Sequence, residues 1–476
     1  MGPQEQLGTL SRLLLLCSVA AALALPGTSW HQVGPKIYVP FDPNRAQVVA
    51  HKVDLFAVVL PSLVYASYPL IAPYGDLIVH DSTANTYGLV TIFLDPPQEL
   101  AVPETIDGVS REALRNGGKV MAAKSHLFYF TASLRGGPDA IFCWPRQGTQ
   151  AQLFYAPKAP LAIRELYAST DPPGVVALLT NGELALFPEQ SRIPRSLATG
   201  VSVAAVTPGW CYFARGGREV WRCSLAGGKP ERALGPLPGD VEALAADPLG
   251  HRLACVVRSS GQGGRLQVHD LVGGRLIWEV GPVTPPGYAW GRTQVLKLSA
   301  HTNRLFYTGQ YQGRDGVFFL DLARKTVVDL ATELRLEGVL AQRAVDCNET
   351  GELLVFATGT DPSRLVLAFL PDETAPEMWI DGLPTMIHPG QLPLEFHIRY
   401  RDRAVVSGVD LQTLSVQLNG SQLVAASGRE PEQAHFKLTS ELLQPGLNEL
   451  RVKIADRAGN VAEKVLRFEF RLPNQQ

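Results

Sequence analysis

The chain has 476 residues, with 43 Lys plus Arg against 45 Asp plus Glu, a formal net charge of −2. At roughly 100 to 200 residues per domain this excludes one small domain, and a charge so near zero supplies no field for nucleic acid or an anionic membrane. Hydrophobic residues at 46% place it among globular proteins, while 44 Gly and 36 Pro, about a sixth of the chain, predict many turns and few helices.

At the N-terminus Arg12 precedes the apolar run from Leu13 to Leu25. The run is too short to span roughly 30 Å of hydrocarbon but suits a signal-peptide core. Residues 1–29 are therefore expected to be a cleaved leader, with Ala22-Leu23-Ala24 and Gly27-Thr28-Ser29 both compatible with the cleavage rule; the alternative is a short buried strand or helix. No later stretch reaches about 18 apolar residues without a charge or Pro, so no transmembrane segment is expected and the mature chain is expected to be secreted or periplasmic. Beyond Cys17 there are Cys143, Cys211, Cys223, Cys255 and Cys347, without CxxC spacing, which excludes a zinc ribbon.

Residues 36–60 carry strand-like runs, Ile37-Tyr38-Val39 and Val48 to Leu60, that precede the first repeat. From there a pair of small residues recurs after an apolar run and before a turn, at 66/67, 122/123, 168/169, 204/205, 245/246, 299/300 and 344/345. The mean spacing is about 46 residues, within the range of a propeller blade. Each pair is followed by a turn, such as Asp247-Pro248-Leu249-Gly250, and by further apolar runs, so each unit reads as a meander of three or four strands. Small side chains suit the crowded innermost strands of radial sheets. Asp107 to Gly117 reads as a short helix in a long loop. Cys211 to Cys223 reads as a hairpin turning at Gly216-Gly217, whose three-residue loop would set Cys211 opposite Cys223, close enough for a disulfide or for two buried thiols. The last unit stops after Leu365 to Leu370, ahead of a linker at Pro371 to Pro376, and residues 36–60 are expected to supply its missing outer strand.

The run Val241 to Val280, with its Asp-Pro-x-Gly turn, its Leu266-Gln-Val-His-Asp-Leu271 strand and Gly273-Gly-Arg-Leu276, resembles a blade of the WD40, YVTN or TolB-like propellers. The Trp-Asp dipeptide of WD40 repeats is absent, which favours the divergent exported members. The resemblance implies an all-β fold, a seven-bladed β-propeller over residues 30–371, with six or eight blades also compatible.

From residue 372 to 476 the pattern becomes clean alternation. Leu394, Phe396, Ile398 and Tyr400 interleave with Glu395, His397, Arg399 and Arg401, giving each strand one buried and one solvated face. Strands of this kind between Gly, Pro and Asn turns predict a β-sandwich. Leu414-Ser-Val-Gln-Leu-Asn-Gly420 and Ala455-Asp-Arg-Ala-Gly-Asn460 resemble bacterial Ig-like modules, in which Asp456 would be a turn residue or a calcium ligand. Asn348-Glu349-Thr350 and Asn419-Gly420-Ser421 are glycosylation sequons.

No nucleophile elbow, zinc-protease motif or phosphate loop is present. Asp171, Asp247 and Asp346 recur beside the small pairs, where they cap turns or ring a channel mouth and bind a cation; His251 and His301 fall in turns. Tyr288, Trp290 and Arg292 in a long loop, with Tyr311 and Arg314, are the residue types that dominate sugar or peptide recognition. The expectation is a non-catalytic binding or scaffold protein engaging a protein or glycan at the cell envelope, with no cofactor and no nucleic acid. The alternative is a propeller hydrolase or lyase acting on glycans or lactones through a channel metal or acid pair.

Overall fold

The computed structural model describes residues 151–156, 162–191, 193–260, 263–285, 295–334, 345–357, 365–403, 407–426 and 432–472, and before residue 151 Lys36 and the strands His31–Gly34, Ile37–Val39, Val48–Lys52, Leu55–Leu60, Ala66–Ile71, Leu77–Thr83, Thr86–Leu94, Pro97–Leu100, Met121–Lys124, Leu127–Ser133 and Asp139–Pro145. The leader at 1–29, the expected helix at 107–117 and Tyr288, Trp290 and Arg292 lie outside them. The chain is all-β and divides into two units, Pro40–Leu370 and Pro371–Gln476, the second also taking Gln32–Val39.

The first unit is built of successive antiparallel meanders. Their leading strands are Ala66–Ile71, Met121–Lys124, Ile163–Thr170, Val203–Thr207, Asp240–Ala246, Leu296–Leu298 and Val345–Cys347. Each leading strand touches the next in chain order, and Val345–Cys347 touches Ala66–Ile71, so they form a closed circuit. Six of the small-residue pairs fall on these strands or just past them, and Ala122, Ala204, Ala205 and Ala245 are buried there; Ala344 of the seventh lies outside the described residues. Pleated side chains alternate between faces, so both faces of an inner strand meet a neighbouring sheet and bulk is excluded.

Arginines join one meander to the next. Arg252 donates to the carbonyls of Ser299 (3.0 Å) and Thr302 (2.9 Å) and to Asn303 Oδ1 (3.2 Å) in the following meander. Arg304 repeats the bond one unit further on, to the carbonyl of Gly351 at 3.1 Å, and Arg195 reaches the Ala226 carbonyl at 2.9 Å. The guanidinium fork donates to several turn carbonyls at once in a crowded region.

The last meander is closed from the N-terminal side. Leu365–Phe369 pairs antiparallel with Leu55–Leu60, from Leu365 opposite Leu60 to Phe369 opposite Phe56, and Val48–Lys52 lies outside as a fifth strand. Val48 to Leu60 thus does what the sequence leads one to expect, with two strands. Ile37–Val39 does not take part. It pairs with His31–Gly34 and belongs to the second unit, held by the Asp372 amide donating to the Lys36 carbonyl (2.9 Å) and by Lys36 Nζ on Asn460 Oδ1 (2.8 Å). The boundary expected at residue 30 therefore leaves out that the first described hairpin joins the C-terminal unit.

The second unit has two sheets. One orders Glu377–Asp381, Leu394–Arg401 and Gln433–Leu438; the other orders Met386–Ile387, Val461–Phe470, Gly446–Asp456, Val409–Leu418 and Ser421–Gln422. Phe396, Ile398 and Tyr400 from the first meet Val416, Leu450, Val452 and Phe468 from the second in one core, so the alternating pattern predicts the buried face correctly.

Candidate binding face and acidic cluster

Tyr311 and Arg314 close the hairpin between Arg304–Tyr311 and Arg314–Asp321. Its two-residue tip, Gln312 and Gly313, has φ of 51° and 80°, the primed turn that matches strand twist. The tip also joins the preceding meander. Val283 pairs with Tyr311 and Thr284 with Gln310, and the Gln312 amide donates to the Pro282 carbonyl at 2.9 Å. Gly309 makes this approach possible: at φ 143° a Cβ there would lie 2.5 Å from Tyr307 Oη and 2.6 Å from the Thr284 carbonyl. The Tyr311 ring meets Phe318 edge-on at 5.5 Å, while Arg314 is exposed and makes no ion pair among the described residues. Tyr311 and Arg314 therefore stand beside the end of the strand Leu276–Thr284.

The three carboxylates expected to ring a channel mouth each have a separate place. Asp247 Oδ1 accepts the His251 amide (3.0 Å) and Oδ2 holds Arg252 Nε (3.1 Å), which is turn capping. Asp346 is buried, with Oδ1 2.6 Å from Lys297 Nζ and Oδ2 accepting the Ile71 amide at 2.7 Å. Burial would lower the Lys297 ammonium, but Asp346 outweighs it and the pKa is raised. Asp171 is exposed. Among the described residues these three form no metal-holding group. His301 is half-buried and His251 exposed.

Cys211 and Cys223 do pair in register across Trp210–Ala214 and Val220–Ser224. The loop is longer than expected, running from 215 to 219 between Ala214 and Val220, and both thiols are free and buried. Burial pushes the Cys211 thiol well above its ordinary value. Asn348 is not an open sequon. It is buried, and its Nδ2 donates to Thr350 Oγ1 (3.1 Å) and to Glu352, so the amide is used up inside the turn. Asn419 Nδ2 donates to Asn448 Oδ1 at 2.7 Å.

Among the described residues one carboxylate group assembles, of which sequence reasoning singled out only Asp456. Asp372, Asp402 and Asp456 each present an oxygen within 4.8 Å of the others. Asp456 ends its strand as a turn residue, accepting Asn460 N and Nδ2, each at 2.8 Å. Ser407 Oγ lies against Asp372 and 2.7 Å from Asp402 Oδ2. One hydroxyl proton serves one of these contacts, so the other is best satisfied by a proton kept on a carboxyl. Burial, with the neighbouring Asp372 charge adding to it, pushes Asp456 up to about 6. Stability from this group is thus full below the unfolded value of about 3.9 and is lost as pH rises through about 6. The C-terminal unit is expected to melt higher at pH 5 than at pH 7, and Asp456→Asn to flatten that slope while raising the neutral melting temperature. A slope unchanged in the variant, followed by calorimetry, would remove the shared proton. Glu377, although burial opposes it, is held low by Arg403 and Arg401, so its protonation falls at lower pH, outside this window.

No family model matches the sequence, and no curated protein matches it. Among solved structures the chain is similar to Hsv2 of Kluyveromyces lactis with its complete loop 6CD, at 11% identity over 62% of this chain and 90% of that one (TM-score 0.40). It is similar to the form with loop 6CD replaced by a Gly-Ser linker, at 12% identity over 67% and 94% (TM-score 0.42). A third is YCF48 bound to D1 peptide, at 12% identity over 68% and 99% (TM-score 0.43). These are β-propeller proteins. No described helix is long and apolar enough to cross a membrane.

Proposed function

We propose that the chain is an exported, non-catalytic scaffold, a seven-bladed β-propeller followed by an Ig-like sandwich, that engages a protein or glycan partner through propeller loops. Residues 1–29 act as the export leader in this reading, and the partner sits at the cell envelope. The observation that carries it is the join between two meanders at Gly309. It holds Tyr311 and the exposed Arg314 on a hairpin tip bonded to Val283 and Thr284 of the preceding meander; Tyr288, Trp290 and Arg292 follow that meander in the sequence, outside the described residues. Tyr, Trp and Arg dominate binding energy where they cluster, and a rigid tip loses little entropy on association. The ion pairs of Asp247 with Arg252 and of Asp346 with Lys297 favour this reading over a channel enzyme.

The test is a selection of binders from a displayed peptide library and a glycan array with the full chain, repeated with Tyr311→Ala and Arg314→Ala. Loss of one anchor is expected to weaken the selected binders at least about tenfold, the equivalent of 1.4 kcal/mol. Binders unaffected by both substitutions would place recognition elsewhere.

A further inference from the structure

On the outer face of the three-stranded sheet in the C-terminal unit, Asp381, His397 and His435 stand in one row, because Asp381 pairs with His397 and His397 with His435. The two imidazoles meet edge to face at 85°, centroids 4.4 Å apart, with Nδ1 2.6 Å from Nδ1. Both are half-buried, so solvent and ions reach them. Neutral imidazoles carry one N–H and one lone pair each, so two Nδ1 atoms this close meet either with one donating to the other or with a cation on both lone pairs. Side chains two positions along share the face: Glu395 and Arg399 beside His397, Gln433 and Lys437 beside His435. Arg399 is tied to Asp381. The exposed Glu395 carboxylate makes no hydrogen bond or ion pair among the described residues.

We propose that His397 and His435 form a binding site for a divalent transition metal of borderline softness, Zn²⁺, Ni²⁺ or Cu²⁺, with water completing the shell. Metal to imidazole nitrogen distances of about 2.0–2.1 Å put two ligand nitrogens about 3 Å apart, so a small ring rotation opens the pair enough. Antiparallel pairing already fixes both backbones, and little ordering remains to be done on binding. Imidazole selects these ions over Ca²⁺ and Mg²⁺, which take oxygen ligands. Asp381 lies on the side of His397 away from His435 and adds negative charge behind that ligand. The ligands must be unprotonated, so acid releases the metal; the charged groups facing the pair are Glu395, Asp381, Arg399 and Lys437.

The experiment uses the full chain without a polyhistidine tag. Titration calorimetry with ZnCl₂ and with CuSO₄ is expected to show one saturable equivalent, and the melting temperature should rise with metal concentration as mass action requires. His397→Gln and His435→Gln should each remove that equivalent, His388→Gln should leave it, and CaCl₂ and MgCl₂ should produce no heat of this kind. Should either substituted chain fail to fold, electron paramagnetic resonance of Cu²⁺ on the unmodified chain reads the site directly, with hyperfine structure from two nitrogens expected. The proposal is overturned by no saturable binding, by an equivalent that survives either substitution, or by a copper spectrum with a single nitrogen.

Discussion

Deletion of residues 48–60 is expected to abolish the cooperative melting of the N-terminal unit. Leu55–Leu60 is the hydrogen-bonded partner of Leu365–Phe369 along its whole length. Val366, Leu367, Ala368 and Phe369 are buried, and Val366 and Ala368 lie in the core shared with Phe306 and Leu330. Burial of a Val, Leu or Phe side chain contributes about 1.5–3 kcal/mol, so uncovering this strand removes on the order of 5 kcal/mol, comparable to the whole stability of a domain. The cost is topological as well, because the strand comes from the opposite end of the chain and makes the ring continuous. Calorimetry should show the main transition lost or strongly lowered, and limited proteolysis should cut near residues 353–370. A truncated chain that melts like its parent would leave the closure without energetic meaning.

The second large effect is expected from Ala245→Trp. Ala245 is 7% exposed on the leading strand Asp240–Ala246, opposite Ala254, and shares a core with Ala243, Leu296 and Leu298 of the neighbouring leading strand. Inserting an indole there forces strands apart or side chains off their rotamers, at a cost of about 3 kcal/mol or more. At about 2.1 cal/mol/K per residue, a unit spanning Pro40–Leu370 shifts by roughly 1.5 °C per kcal/mol, so the melting temperature should fall by roughly 5 °C. Val272→Trp is the matched control, since Val272 is 85% exposed in a turn and an added ring meets solvent. Equal melting temperatures for the two variants would contradict the inner-strand placement of Ala245.

Much of the architecture follows from local pattern. Small pairs mark the leading strands because sterics at the ring interior act on each strand in the same way, and the alternation at Leu394, Phe396, Ile398 and Tyr400 marks a buried face because a strand has period two. The Asp247 turn is equally local, with Asp247 capping His251 and Arg252 within its own hairpin. A composition rich in Gly and Pro predicted many turns and few helices, and the repeated strand-like runs between the turns carried the all-β class.

Pairing between distant segments has no such signature. Ile37–Val39 and Leu55–Leu60 look alike as apolar runs, yet one joins the C-terminal unit beside Lys36 and the other closes the ring. Asp372, Asp402 and Asp456 come from a linker, a strand end and a turn, and only folding brings their oxygens within 4.8 Å. His397 and His435 are 38 residues apart and read as two solvated positions until register sets one Nδ1 against the other. The burial of Asn348 was equally hidden, because a sequon is a local string while its solvent access depends on Thr350 and Glu352 turning inward. Local propensity and periodicity decide which residues form strands and which face is apolar; which strand lies beside which, and so which polar groups meet, is decided by the register and closure of sheets whose partners lie far apart in the chain.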